Sequence, residues 1–248
     1  LLDDDTLAAG SDLAAELRGL RAGSHPATGR WRAEVARLAR LVPGSGPGTR
    51  PAPGGGRAEA ALVAGLAHPE RIARRRSGEA PVFLMAGGTA VEVGDAGLGA
   101  QEWLAVAVAD RTPGAAHGRV RLAVAADRAL AEEVAAALLT EAEEVAWADG
   151  DVRARRVRRL GAIVLEERPL REPDPALVRE ALVTGLRAEG TGLLHWSAAD
   201  RALRARLAFL HRTLGEEWPG VAEEDVLAGT ADPAGWLSAP LAAARRRA

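Results

Sequence analysis

The hydrophobic period changes twice along the 248-residue chain, and this constrains its fold more than any single motif does. On both sides of a middle block, apolar residues recur at three- and four-residue spacing, which is the pattern of amphipathic helices. Inside the block they come as short apolar or alternating runs separated by Gly-bearing turns, which is the pattern of strands. Residues 81–86, 90–93, 102–109, 119–125 and 162–165 are such runs. Helices segregated from strands in this way read as an α+β chain.

Three helices are expected before the block. Ser11 caps the first, Leu13, Leu17 and Leu20 give its apolar face, and Gly23 ends it. The second covers about residues 31–42, with Trp31, Val35, Leu38 and Leu41 or Val42 on one side. Residues 43–56 are rich in Pro and Gly and read as a flexible loop. The third covers residues 57–76, keeps Ala61, Leu62, Leu66 and Ile72 on one side, and is broken or kinked at Pro69. Within the block, a helix over 128–140 interrupts the strands, with Leu130, Val134 and Leu138 at four-residue spacing. Beyond the block one helix is expected over 176–187. Another runs from an N-cap at Ser197, with Asp200 completing a capping-box variant, to Gly215. Leu203, Leu207, Leu210 and Leu214 carry its apolar stripe, and residues 218–248 are less regular and close on Arg245, Arg246 and Arg247.

The sharpest local signal is Asp149-Gly150 between two alternating segments. Such a pair favours a two-residue hairpin loop, because Gly supplies the positive φ of a primed turn. Trp147 then lies opposite Val152 and Glu144 opposite Arg155, and the phase of Val157 predicts a bulge near Arg155-Arg156. Five to seven short strands with one inserted helix make a small, closed or nearly closed barrel over residues 79–170. It stands between a helical segment at 1–78 and a helical region at 171–248.

The hairpin also carries the strongest charge pattern. Arg153, Arg155, Arg156, Arg158 and Arg159 fall within seven residues that contain no acid. Residues 129–151 are the reverse, with seven acids and no Arg. Two readings stay open. Glu143 and Glu144 pair across the strands with Arg155 and Arg156 and leave Arg153, Arg158 and Arg159 unmatched. Alternatively the strand offers its guanidinium groups to a phosphate backbone. A second cluster, Arg71, Arg74, Arg75 and Arg76, falls at the end of the expected third helix, where the helix dipole alone would favour cations.

Other chemistry is excluded more firmly. Without cysteine there is no disulfide framework, thiolate metal site or Cys nucleophile. The glycines at 44–56 are followed by no Lys and are mixed with prolines, so they do not make a phosphate loop. His25, His68, His117, His195 and His211 show no ligand spacing, and Ser197 sits in no nucleophile elbow. His195 beside Trp196 reads as a packed structural pair. No catalytic residue and no metal site is expected. All 32 cations are Arg, a bias that GC-rich coding produces by itself, and the net charge is only −2, so any electrostatic function must come from local clusters. With aromatics at 3%, contact with a nucleic-acid backbone is a better expectation than base stacking. No leader and no apolar run of about 18 residues is visible, so a cytoplasmic chain without membrane contact is expected. The chain begins with Leu instead of Met, which reads as a piece of a longer protein.

Four stretches together resemble one family. GLAHPERIARRR (65–76) is similar to the end of the helical ratchet that precedes the OB-like barrel of DEAH-box helicases. EWLAVAVAD (102–110) and VRARRVRRLGAIVLEERPL (152–170) resemble barrel segments of the HrpB family of bacterial ATP-dependent RNA helicases. LLHWSAADRALRARLAFLHRTLG (193–215) resembles the start of that family's C-terminal region, and SDLAAELRGLRAG (11–23) is consistent with its ratchet helices. The resemblance implies a ratchet remnant at 1–78, an OB-like barrel with an inserted helix at 79–170, and an incomplete helical C-terminal extension at 171–248. It further implies a parent enzyme that binds ATP and Mg²⁺ in RecA-like domains upstream of this chain. The chain would be inactive alone. It would touch single-stranded RNA through Arg153, Arg155, Arg156, Arg158, Arg159, Arg74, Arg75 and Arg76 and brace its own upstream RecA-like domains. The rival expectation is a protein-interaction module with no nucleic-acid contact.

Overall fold

The computed structural model describes residues 9–41, 56–78 and 80–228. They divide into two compact units, residues 1–140 with 158–166, and residues 141–157 with 167–248.

In the first unit, the order of events after Pro69 builds the barrel. Helix α3 (Gly56–Ala67) stops short of His68, since Pro69 has no N–H to donate and restricts the residue before it. A 3-10 turn at Pro69–Arg71 leads into strand β1 (Ile72–Arg75). Strands β2 (Val82–Met85), β3 (Ala90–Glu92), β4 (Trp103–Asp110) and β5 (Gly118–Ala126) follow and close a barrel in the order β1-β2-β3-β5-β4. Strand β1 is antiparallel to both β2 and β4, while β3 runs parallel to β5. Between β3 and β4 lies a short helix, α4 (Ala96–Gly99), capped by the Asp95 carboxylate, which accepts from the Leu98 N–H at 2.8 Å.

The two faces of the barrel wall have separate cores. Ala73, Phe83, Val91, Leu104, Val106 and Ala123 form one buried cluster. Ile72, Trp103, Ala105, Ala107, Leu122 and Val124 belong to another. There they meet Leu13 and Ala14 of α1 (Leu13–Ala22), Ala60, Ala61 and Ala64 of α3, and Ala131 and Val134 of α5 (Arg128–Val134). Neighbouring residues of β4 therefore serve opposite cores, which is why its sequence is a continuous apolar run instead of an alternation. Where the β4–β5 ladder shifts register between Val106 and Val108, Arg71 Nη1 donates to the Ala107 carbonyl at 2.9 Å.

Several sequence expectations change here. Residues 57–76 do not form one helix, so Arg74 and Arg75 stand on a strand and the helix-dipole explanation no longer applies to them. The closed barrel runs from Ile72 to Ala126, starting before residue 79 and finishing before the hairpin. Its inserted helix is α4; α5 follows the fifth strand. Asp12, not Ser11, caps α1, accepting from the Ala14 and Ala15 N–H groups, because Ser11 is held against β5 by its carbonyl bond from the Ala123 N–H. Helix α2 (Thr28–Ala39) starts and ends earlier than expected, and Val35 and Leu38 of its stripe are exposed, as is Leu41 beyond it.

Strands β6 (Leu139–Ala148), β7 (Asp151–Leu160) and β8 (Ile163–Pro169) make a separate three-stranded sheet in that order. In the second unit, the Trp147 indole rests on Gly185 of α6 (Pro175–Glu189), where any Cβ would overlap the ring, and its Nε1 donates to Glu189 at 2.6 Å. Helix α7 (Ala198–Leu214) opens with the expected reciprocal capping box of Ser197 and Asp200. It buries no residue; Leu203 and Leu214 are more than half exposed. Leu186 of α6 and Val226 of α8 (Glu223–Ala228) form a small core with Leu193, Leu194 and Leu227. Trp196 donates to the Thr191 carbonyl at 2.9 Å and lies under Arg204 at 5.0 Å, while His195 is exposed. The loop expected at 43–56, apart from Gly56, and residues 229–248 lie outside the described residues.

Candidate nucleic-acid interface

The expected hairpin turn is present: Asp149 has φ 54° and Gly150 φ 76°, both in the left-handed region that a primed turn needs. It sets the acidic strand β6 against the arginine strand β7. Arg155 donates through Nε (3.0 Å) and Nη2 (2.9 Å) to Glu144, and through Nη1 (2.9 Å) to Glu167 of β8. Arg156 reaches Glu143 at 2.8 Å and Glu141 at 3.8 Å. The two main pairs advance one step along both strands. Hydrogen bonds to Glu167, then Glu144, raise the pKa of Arg155, and the bond to Glu143 does the same for Arg156.

The arginines expected to be unmatched also have partners. Arg153 is 3.8 Å from Asp149, and Arg159 is not free. Arg158 sits 2.7 Å from Glu132 of α5, whose carboxylate also takes Arg128 at 2.6 Å; Arg128 in turn reaches Glu166 at 3.1 Å. Bonds from Arg128 and then Arg158 hold the Glu132 carboxyl below the usual range. Glu132 and Glu167 are the partners that sequence reasoning misses, since α5 and the third strand bring them in without any local spacing signal.

The part of the second unit that holds the arginines (residues 141–157 and 167–169) contains six acids and four arginines, a net charge of −2. One side of it forms an open recess of about 550 Å³ lined by Glu144, Ala146, Ala148, Arg153, Arg155 and Glu167, among others. In the first unit, Arg74 lies 5.5 Å above the Trp103 ring, pairs with Glu102 at 3.0 Å and donates to the Val164 carbonyl at 3.0 Å. Arg75 and Arg76 have no side-chain partner among the described residues, and Arg76 is exposed. The structure thus groups Arg74–Arg76 at the barrel and gathers Arg153, Arg155 and Arg156 in the sheet of the second unit. Among the described residues, no three His, Asp or Glu side chains gather to hold a metal ion, and no helix is long and apolar enough to cross a membrane.

No protein-family model matches the chain. It is 31% identical over 171 residues to the ATP-dependent RNA helicase HrpB of Escherichia coli (strain K12), a match covering 67% of this chain and 21% of that protein. Its fold is similar to the crystal structure of the E. coli DExH-box NTPase HrpB, with a TM-score of 0.56 and 26% identity. That match covers 92% of this chain and 27% of the solved one. The chain therefore spans about a fifth to a quarter of the relative it matches.

Proposed function

We propose that this chain, a relative of HrpB over about a fifth of that protein's length, is an auxiliary RNA-contacting and bracing part of an ATP-dependent RNA helicase. The observation that carries the reading is the sequence match itself, which runs over 171 residues and is accompanied by similarity of fold. ATP and Mg²⁺ would be bound by RecA-like domains upstream, and this chain would contribute no ATPase residue. The helices before the barrel correspond in this reading to a ratchet remnant. An OB-like identity for the barrel is supported by its strand order, with β1 shared between β2 and β4 and β3 parallel to β5. Such five-stranded barrels use an exposed strand face for oligonucleotides. The proposed contacts to single-stranded RNA are Arg74, Arg75 and Arg76 at the barrel, and Arg153, Arg155, Arg156, Arg158 and Arg159 on β7. The working location is the cytoplasm.

A second reading, docking of a protein partner without RNA, draws on the exposed apolar residues Val35 and Leu38 of α2, Leu41 just beyond it, and Val63 and Leu66 of α3. Salt separates the two. Each phosphate contact to a single strand contributes about −0.7 to the slope of log affinity against log salt. Binding of a labelled single-stranded RNA at several salt concentrations is expected to weaken steeply with salt. It should drop when Arg153, Arg155, Arg156, Arg158 and Arg159 are replaced by Gln. A folded chain that binds no RNA at low salt would overturn the RNA reading.

A further inference from the structure

The sequence presents β7 as a basic strand, yet the structure surrounds it with acids on both neighbouring strands. Arg155 has all three guanidinium nitrogens engaged: Nε and Nη2 with Glu144 on one side, Nη1 with Glu167 on the other. A phosphate cannot make a two-pronged contact with that group unless a carboxylate leaves. Arg156 has its Nε and Nη2 edge taken by Glu141 and Glu143. The local net charge of −2 would also repel an approaching phosphate chain.

We propose that Glu143 and Glu144 of β6 and Glu167 of β8 act as built-in substitutes for phosphate, masking Arg155 and Arg156 until RNA displaces them. The inference rests on the RNA-contact reading and adds a regulation of that same site. Carboxylate and phosphate are equivalent partners for guanidinium, offering paired oxygens to the same donor fork. Exchange between them is accessible because every member of the ladder is partly solvent-exposed, from 32% for Glu144 to 52% for Arg156. Solvent-exposed pairs of this kind hold weakly and are screened by salt. The device favours a polyanion over an isolated phosphate. Several adjacent phosphates can replace several carboxylates together, whereas one phosphate must displace a tethered competitor unaided.

The test uses the whole chain and a labelled oligouridylate over a range of salt. In one variant Glu143, Glu144 and Glu167 become Gln. In a control, Glu180, Glu216 and Glu217 become Gln, giving the same change in net charge elsewhere in the second unit. Both should keep the native circular dichroism and melting curve. The ladder variant is expected to bind at least about tenfold tighter than the control, because RNA no longer has to displace the carboxylates from Arg155 and Arg156. Equal gains in both variants, with binding still dependent on the β7 arginines, would overturn the masking proposal and leave the RNA reading in place. No binding by any of the three proteins would overturn both.

Discussion

In the first unit five strands close on one another, and every buried face has its partner inside the unit. Trp103 and Leu104 are neighbours on β4, and they reach two different cores with 2% and 0% of their surfaces exposed. In the second unit, α7 is the longest described helix, is properly capped and carries a clear leucine stripe, yet none of its residues is buried. Leu207 and Leu210 are only half-buried, and the small core of Leu186 and Val226 involves α6 and α8, not α7. The difference lies in how each element finds partners. A closed sheet supplies its own neighbours, whereas a solitary amphipathic helix depends on whatever is placed against it. The first unit should therefore hold its structure by packing, while α7 rests mainly on its local bonds.

The largest expected effect sharpens the barrel side of this contrast. Phe83 is fully buried, so Phe83→Ala should cost about 3–5 kcal/mol in denaturant unfolding. A loss below about 1 kcal/mol would mean that the barrel interior is not a packed core. Gly185→Val would drive a side chain into Trp147 and is expected to cost about 1–3 kcal/mol. Hydrogen exchange should quicken in α6 and the neighbouring β6 residues while β4 and β5 stay protected; equal loss in β4 would break the separation into two units.

The next effect depends on pH. Arg128 and Arg158 hold the Glu132 carboxyl below its usual range in the folded chain, so the unfolded state binds a proton more readily. That contribution is fully present above the ordinary carboxylate range and is lost as pH falls through it toward the lowered value. Unfolding measured from neutral to acid pH should flatten in Glu132→Gln; an unchanged profile would remove Glu132 as a structural acid. The smallest effect belongs to α7: Leu203→Ser and Leu214→Ser should each change stability by no more than about 0.5 kcal/mol. A loss of about 2 kcal/mol or more, of the kind seen for covered leucines, would show that the stripe is buried in solution.

Much of this was legible in the sequence where the signal is local. The barrel strands, the hairpin at Asp149-Gly150, the capping box at Ser197 and the pairing of Glu143 and Glu144 with Arg156 and Arg155 all follow from short-range period, turn chemistry or register. Strand β1 was hidden because its four residues, Ile72, Ala73, Arg74 and Arg75, also continue the pattern of the helix before it; only pairing with β2 and β4 decides the matter. Period located the stripes of α2 and α7 but could not tell that Val35, Leu38, Leu203 and Leu214 are exposed. The candidate site was half legible. The arginines stand out in sequence, whereas Glu132 and Glu167 reach them through tertiary and third-strand geometry.

The RNA contacts proposed for the arginines of β7 and the end of β1 should be visible in the backbone. Amide hydrogen exchange of the whole chain, with and without saturating single-stranded RNA at low salt, tests them directly. Slower exchange is expected on β7 and around residues 74–76, with α7 unchanged. Protection confined to α7, or none anywhere, would contradict them.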